Sequence, residues 1–241
     1  MANYELDGRA AIVTGAGAGI GEACAHALPS SGAAVLVVDL DQERAEGVAS
    51  AISGGGGTAL PHVADVSNPD EAEAMVARAE EELGPLRIGV NNAGIGGTSQ
   101  PTGQYDLDAW RRVMSVNLDG VFYCMRAEIG SMSRAGGGSI INMSSVLGSV
   151  GIENSPAYVA SKHGVVGLTK AAALEHAAEG VRINAVGPGF ISTPLLEGNL
   201  PAEAQAQIAT LHVLGRLGRG SQPRGLPSLR HGGPQRIVAR C

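Results

Sequence analysis

The chain has 241 residues, of which 44% are apolar, and a formal net charge of −6; these values suit one α/β domain with a sizeable core. No run approaches the roughly 18 consecutive apolar residues of a membrane span, and Glu5 and Asp7 stand where a secretory signal would be apolar. Three cysteines (Cys24, Cys124 and Cys241) do not cluster at metal-ligand spacing. We therefore expect a cytoplasmic protein with no membrane segment and no metal site.

Short β-branched runs alternate with longer helical stretches over the first 190 residues. The predicted strands are residues 11–14, 34–39, 58–63, 88–91, 139–143 and 182–185. The predicted helices are residues 19–31, 42–52, 69–83, 107–134 and 156–178. Alternating strands and helices form parallel βαβ units, and strands covered on both faces are continuously apolar. The pattern therefore predicts one doubly wound parallel sheet with helices on both faces.

A glycine-rich loop joins the first predicted strand to the first predicted helix, with Gly15, Gly17, Gly19 and Gly21 around Ile20. The first amides of a helix have no intrahelical partner, and glycines let a pyrophosphate approach them without a Cβ in the way. The spacing of these glycines departs from the common Gly-x-Gly-x-x-Gly fingerprint. The prediction of a dinucleotide site therefore depends on the position of the loop between a strand and a helix. A glycine-rich turn without a ligand is the alternative.

Asp39 ends the second predicted strand, and the nearest basic residue, Arg44, lies one helical turn further on. A carboxylate at this position accepts hydrogen bonds from the ribose hydroxyls of an adenosine and repels a 2′-phosphate. Asp39 therefore favours NAD over NADP. Capping of the next helix is the alternative role, and the two are compatible.

Tyr158 and Lys162 are four residues apart on a predicted helix, so they face the same side. A nearby ammonium favours the phenolate and brings a tyrosine toward the range of general acid/base chemistry. Ser144 and Ser145 follow the strand 139–143 at its carboxyl end, the edge where open α/β sheets bind ligands. An exposed helical pair and an ordinary strand-end cap are the structural alternatives.

Together these residues resemble the short-chain dehydrogenase/reductase family over about residues 5–218. The resemblance rests on seven motifs in the family's order: Thr14-Gly-Ala-Gly-Ala-Gly-Ile-Gly21, Asp65-Val66, Asn91-Asn-Ala-Gly94, Asn117, Ser144-Ser145, Tyr158-x-x-x-Lys162, and Pro188-Gly189 with Thr193. The implied fold is a single Rossmann-type doubly wound parallel sheet of six strands in the order 3-2-1-4-5-6. Residues 1–218 are expected to form the dinucleotide-binding and catalytic domain.

The resemblance also implies a role for each matched residue. Tyr158 is implied as the acid/base group, Lys162 as its pKa modulator and ribose ligand, and Ser145 as the group that holds the substrate oxygen. Asn117 matches a position that holds a water linking Lys162 to solvent. The other implied cofactor contacts are Asp65 and Val66 at the adenine, Asn91, Ala93 and Gly94 beside the cofactor, and Pro188, Gly189, Ile191 and Thr193 at the nicotinamide.

The implied reaction is reversible hydride transfer between NAD and a secondary alcohol or ketone. Residues 95–104, 146–154 and 193–214 are expected to contact the substrate, and they contain no lysine or arginine. This composition favours a small neutral alcohol or ketone, although a chain rich in glycine and alanine gives the same pattern without any selection for substrate.

Composition changes sharply near residue 216. The chain has 23 acidic and 11 basic residues before it, and six arginines with no acidic residue from 216 onward. We interpret residues 219–241 as an irregular basic tail, which a reading-frame change in the coding sequence would explain, and expect the family's usual seventh strand to be missing. A nucleic-acid-binding tail is the weaker alternative, because its arginines are not interleaved with aromatic residues.

The tail bears on activity and on assembly. The resemblance implies tetramers built on two interfaces, and one of these uses the C-terminal segment that this chain replaces. We therefore expect a homodimer through helices 107–134 and 156–178. If the altered segment prevents the site from closing, the chain is instead a dinucleotide-binding scaffold without turnover.

Overall fold

A parallel sheet forms the centre of the computed structural model, which describes residues 6–199, 202–211 and 216–219. Its strands are β1 (Ala10–Thr14), β2 (Ala34–Asp39), β3 (Thr58–Val63), β4 (Leu86–Asn91), β5 (Gly138–Met143) and β6 (Val181–Val186). Their order is β3-β2-β1-β4-β5-β6, as predicted. The winding reverses between β1 and β4, so a crevice opens at the carboxyl ends of these two strands.

Helices cover both faces of the sheet. They are α1 (Gly19–Ala27), α2 (Gln42–Gly54), α3 (Pro69–Leu83), α4 (Leu107–Met114), α5 (Gly120–Arg134), α6 (Pro156–Glu175), α7 (Pro194–Asn199) and α8 (Ala202–Leu211). One apolar core joins α1 and α2 to one face of the sheet, and a second joins α3, α5 and α6 to the other. Asp41, Asn68 and Asp106 cap α2, α3 and α4, because each side chain accepts a hydrogen bond from a first-turn amide.

Two predicted helices differ from the observed ones for local reasons. The predicted helix 107–134 contains a π-helical turn, Ser115–Asp119, which separates α4 from α5. The predicted helix 19–31 ends at Ala27, and Pro29 begins a separate 3₁₀ turn because proline has no amide to continue the α-helical pattern.

The C-terminal part adds elements that the sequence did not predict. Besides α7 and α8, the two-residue strands β7 (Ile191–Ser192) and β8 (Gly218–Arg219) pair in parallel. Arg219, the first residue of the predicted irregular tail, belongs to β8; the remainder of the tail lies outside the described residues. Among the residues that are described, no seventh strand joins the sheet, and none of the helices is long and apolar enough to cross a membrane.

Candidate active site

The glycine loop after β1 is packed so closely that side chains would not fit. Gly15 and Gly19 have φ values of +60° and +63°, a region that favours glycine. A Cβ at Gly21 would lie 2.1 Å from the carbonyl oxygen of Gly15, and a Cβ at Gly17 would lie 2.9 Å from Oδ2 of Asp39. The loop leads into α1, whose first turn has no side-chain cap within the described chain. This cradle of free amides fits the pyrophosphate of a dinucleotide.

The segment that follows β4 lies against the glycine loop. Oγ1 of Thr14 accepts hydrogen bonds from the backbone amides of Asn92 and Ala93 at 3.0 and 3.1 Å. Nδ2 of Asn92 donates to the carbonyl oxygens of Thr14 and Gly15, both at 3.0 Å. Thr14 and Asn92 lie within the matched motifs, but no role was predicted for either. They hold the two walls of the crevice together.

Asp39 lies at the carboxyl end of β2, next to this loop. Its carboxylate accepts hydrogen bonds from the amides of Gly17, at 2.8 Å, and Asp41, at 3.0 Å. Arg44 forms an ion pair with Asp41, with Nε 3.2 Å from Oδ2. The carboxylate of Asp39 is thus fixed at the edge where the adenosine end of a dinucleotide would lie, and the guanidinium of Arg44 is paired with Asp41.

Asp65 and Val66, expected at the adenine, follow β3 in a tight turn. Oδ1 of Asp65 accepts from the amide and hydroxyl of Ser67 at 2.9 and 2.7 Å. The side chain of Val66 is buried, and its Cγ2 would lie 2.9 Å from a Cβ at Gly120. The turn therefore presents this segment at the same edge of the sheet as Asp39.

Tyr158, Lys162 and Ser145 come together at the carboxyl end of β5. Nζ of Lys162 lies 5.6 Å from the centre of the Tyr158 ring and donates to the carbonyl oxygen of Met143 at 2.8 Å. Oγ of Ser145 accepts from the amide of Leu147 at 3.1 Å, and Ser145 is close enough to Tyr158 to lower the pKa of its phenol. The predicted trio is thus one cluster on α6 and the end of β5.

Burial dominates the acid–base chemistry of this cluster. It raises the pKa of Tyr158 above its usual value of 10, and the hydrogen bond from Ser145 acts in the opposite direction. It lowers the pKa of the Lys162 ammonium to about 8. Both shifts favour the neutral form, because a charged group loses its hydration on burial. The expected net lowering of the Tyr158 pKa by Lys162 is therefore wrong for this arrangement.

Asn117 lies in the π-helical turn and is fully buried. Its amide pairs with the backbone of Ile95: Oδ1 accepts from the Ile95 amide and Nδ2 donates to the Ile95 carbonyl, both at 2.8 Å. Nδ2 also lies 3.3 Å from Oγ of Ser161. A Cβ at Gly94 would lie 3.2 Å from Oδ1 of Asn117 and 3.6 Å from Nζ of Lys162. Asn117 therefore fixes the start of the substrate segment 95–104 beside the lysine.

The remaining predicted contacts lie on the loop after β6. The carbonyl oxygen of Pro188 accepts from the amide of Val146 at 2.8 Å, and Gly189 and Ile191 follow, the latter in β7. Cγ2 of Thr193 would lie 3.2 Å from a Cβ at Gly19. This loop therefore closes the crevice on the side opposite Asn92.

Two of the three predicted substrate segments are joined directly. The amide of Gln100, in segment 95–104, donates to the carbonyl oxygen of Asn154, at the end of segment 146–154, at 3.1 Å. Val150 and Ile152 are exposed on the second segment, and Leu195 on α7. The surface around the cluster therefore presents apolar side chains. Residues 200–201 and 212–214 of the third segment lie outside the described part of the chain.

Comparison with known proteins gives the same family throughout. The family model for short chain dehydrogenases matches residues 9–204. A cyclohexanol dehydrogenase of Acinetobacter sp. (strain SE19) is 44% identical over 89% of this chain and 84% of its own length. A cis-4-hydroxycyclohexanecarboxylate dehydrogenase of Sinomonas cyclohexanicum is 46% identical over 88% of this chain and 84% of its own length.

Solved structures agree with the sequence matches. A short-chain type dehydrogenase/reductase from Mycobacterium marinum superposes with a TM-score of 0.88 at 37% identity, covering 93% of this chain and 88% of that one. A putative NAD(P)-dependent gluconate 5-dehydrogenase from Beutenbergia cavernae, with NADP bound at low occupancy, gives 0.84 at 37% identity and covers 91% of this chain and 88% of that one.

Proposed function

The chain belongs to the short-chain dehydrogenase/reductase family, and we propose that it transfers hydride between NAD and a neutral secondary alcohol or ketone, with Tyr158 as the acid/base group. The observation that carries the proposal is the cluster at the end of β5, where the Lys162 ammonium lies over the ring of Tyr158, 5.6 Å from its centre, and Ser145 lowers the pKa of the phenol. A tyrosine that is hydrogen-bonded to a serine and close to a cation can both give and take a proton.

Each residue of the cluster has a separate task. Ser145 and Tyr158 hold the substrate oxygen between their hydroxyls, and Tyr158 donates its proton to that oxygen in ketone reduction or takes it back in alcohol oxidation. Lys162 favours the phenolate in the oxidative direction. The glycine loop and the loop after β6 would hold a nicotinamide dinucleotide, which would supply or accept the hydride at the substrate carbon. Asn117 keeps Ile95 and the substrate segment in place.

The raised pKa of Tyr158 sets the pH dependence of the two directions. At neutral pH the phenol is protonated, which suits proton donation to a ketone. Alcohol oxidation needs the phenolate, so its kcat rises with pH until Tyr158 is ionised. Stopped-assay rates between pH 6 and 10 in both directions measure this, and an oxidation rate that does not change over this range would contradict a role for Tyr158 as base.

Asp39 supports NAD as the preferred cofactor. A 2′-phosphate would lie against its fixed carboxylate, and Arg44 is already paired with Asp41. The two relatives named for cyclohexane rings, together with the apolar side chains of Val150, Ile152 and Leu195, favour a secondary alcohol on a saturated ring.

A panel of cyclic and open-chain secondary alcohols, assayed with NAD and NADP by absorbance of the reduced cofactor, tests the whole proposal. We expect the highest kcat/KM for cyclohexanol-type alcohols with NAD. Tyr158→Phe is expected to lose at least 100-fold in kcat, since general acid/base catalysis contributes about 10²–10⁴, and to bind NADH as before. NADH binding without turnover in the unsubstituted chain would overturn the proposal and favour a scaffold.

A further inference from the structure

A chain of buried polar side chains crosses the core behind the cluster. It starts at Glu128, which lies on α5 and is fully buried. Nδ2 of Asn91 donates to Oε2 of Glu128 at 2.9 Å and to Oδ1 of Asn142 at 3.0 Å. Nδ2 of Asn142 donates to Oγ1 of Thr169 at 2.9 Å. This polar chain therefore connects α5, β4, β5 and α6 in one series of hydrogen bonds.

The sheet is shaped to admit the carboxyl group. A Cβ at Gly89 would lie 2.4 Å from Oε1 of Glu128, so any larger residue on β4 would collide with it. Two atoms of the group, Oε1 of Glu128 and Oδ1 of Asn91, have no hydrogen-bond partner among the described residues. An ionised Glu128 would leave two buried acceptors without a donor, whereas the protonated acid brings one O–H donor to the pair.

Three members of this polar chain lie next to parts of the site. Asn91 is the last residue of β4 and precedes the segment 92–94 that lines the crevice. Asn142 precedes Met143, whose carbonyl accepts the Lys162 ammonium. Thr169 is two turns along α6 from Lys162, on the same side of the helix. This polar chain thus connects both walls of the site to one buried carboxyl group.

We propose that Glu128, which touches no reacting atom, is a positioning residue that aligns Lys162 with the segment 92–94. The proposal rests on the function proposed above. Burial raises the pKa of Glu128 to about 8, in agreement with a neutral acid at pH 7. The thiol of Cys124, on the same helix, is the titratable group coupled to it, and burial keeps that thiol protonated. The residues that face the carboxyl from β4 and β5 are uncharged.

Pairs of variants at the two ends of the polar chain test the proposal. Glu128→Leu and Thr169→Val remove the hydrogen bonds with little change of volume, whereas Glu128→Gln and Thr169→Ser keep a donor or hydroxyl in place. Glu73→Gln, at an exposed ion pair with Arg126, is the matched control on the outside of α5. If Glu128→Leu does not fold, Thr169→Val and Thr169→Ser test the proposal in its place.

The readout is the ionisation of Tyr158, which a purely structural role would not change. A phenolate at Tyr158 helps the adjacent Lys162 to keep its proton, so the two groups titrate as a pair. A displaced Lys162 stabilises the phenolate less, so we expect Glu128→Leu and Thr169→Val to raise the Tyr158 pKa by about one unit. At pH values below this pKa, kcat for alcohol oxidation then falls about tenfold, with KM for NAD within about twofold. Glu128→Gln, Thr169→Ser and the Glu73→Gln control are expected to keep the unsubstituted values.

The phenolate is measured by ultraviolet difference absorbance against Tyr158→Phe, in each background. This titration needs no turnover, so it decides the proposal even if no alcohol is oxidised and the proposed function fails. An unchanged Tyr158 pKa in Glu128→Leu and Thr169→Val would overturn the proposal. Equal shifts in Glu128→Gln and Glu128→Leu would overturn it as well, because the hydrogen bond would then be irrelevant.

Discussion

Asp39 and Glu128 are both carboxylic acids, but their surroundings differ. Asp39 is partly exposed, and hydrogen bonds from two amides fix its carboxylate at the crevice. Glu128 is fully buried among uncharged groups, and burial raises its pKa to about 8. Solvent and hydrogen-bond donors therefore decide whether the same functional group acts as a charge or as a neutral donor.

The charge of Asp39 is expected to determine cofactor choice. Asp39→Ser removes the carboxylate that would hold the ribose hydroxyls and repel a 2′-phosphate. We expect kcat/KM for NAD to fall about tenfold to 100-fold, since a hydrogen bond to a charged group contributes about 1.5–3 kcal/mol. The value for NADP should rise. Steady-state kinetics with both cofactors measure this, with Asp108→Ser, at an exposed ion pair on α4, as the control; an unchanged NAD/NADP ratio in Asp39→Ser would refute the assignment.

The state of Glu128 is expected to appear in the pH dependence of stability. Its pKa is raised from 4.5 to about 8 in the folded chain. As the pH rises between these values, the unfolded chain ionises while the folded chain does not, so the free energy of unfolding decreases by on the order of 1.4 kcal/mol per pH unit. Above about pH 8 the penalty is constant.

Glu128→Gln removes this titration. Urea unfolding at pH 5 and pH 8 should show a smaller loss of unfolding free energy in Glu128→Gln than in the unsubstituted chain, by on the order of 4 kcal/mol. Glu73→Gln, whose carboxylate is exposed, should keep the original pH dependence. If Glu128→Gln loses stability between pH 5 and pH 8 as steeply as the unsubstituted chain, Glu128 is not a neutral acid in the fold.

The π-helical turn between α4 and α5 is the element that brings Asn117 to the site. The wider turn separates two regular helical segments at Ser115–Asp119, and the side chain of Asn117 then pairs with both backbone groups of Ile95. Such turns insert one residue into a helix and are frequent at functional sites. The turn therefore links the helix to the substrate segment 95–104.

Loss of this link is expected to affect both stability and turnover. Asn117→Ala leaves the Ile95 amide and carbonyl without their partner, which should lower the free energy of unfolding by about 2–4 kcal/mol. Turnover should fall as well. Asn68→Ala, which removes the cap of α3 and the hydrogen bond from Nδ2 of Asn68 to Glu71, should cost about 1 kcal/mol and leave kcat unchanged. Urea unfolding and steady-state kinetics on both variants measure this; equal kcat values would show that the link does not serve the site.

Most elements could be predicted from local pattern, but their irregularities could not. The strand 34–39 and the helix 69–83 have the predicted bounds because apolar runs, caps and glycines mark their ends. The π-helical turn had no local signal, since its residues fit an ordinary helix. The short β7–β8 pair depends on contacts between residues far apart in sequence.

In the site, too, local features could be predicted from the sequence and features that depend on the whole fold could not. Tyr158 and Lys162 could be predicted to meet because the spacing on one helix is a local property. The sign of the Tyr158 pKa shift could not, because it depends on burial by the whole fold. Glu128 also escaped prediction, since a glutamate on an amphipathic helix normally faces solvent, and nothing local shows that Gly89 leaves room for it.

At the scale of the whole molecule, apolar side chains are exposed on the outer side of the helical layer. Leu107 on α4, Phe122 on α5 and Leu174 on α6 lie outside both cores. Large exposed apolar side chains of this kind are often covered at an interface between chains. The expected homodimer through helices 107–134 and 156–178 would bury these side chains against those of a second copy.

A charge placed in this surface should dissociate the dimer. Phe122→Glu would place an unpaired carboxylate in the interface. Burying a charge without a partner is much less favourable in free energy than leaving it in water. Val63→Glu is the matched control, because Val63 is exposed to a similar extent, 48% against 44%, but lies on the edge strand β3. By light scattering we expect about twice the chain mass of 24.3 kDa for the unsubstituted chain and for Val63→Glu, and the monomer mass for Phe122→Glu. A stable tetramer in the unsubstituted chain, or a Phe122→Glu variant that remains dimeric, would show that assembly uses another surface.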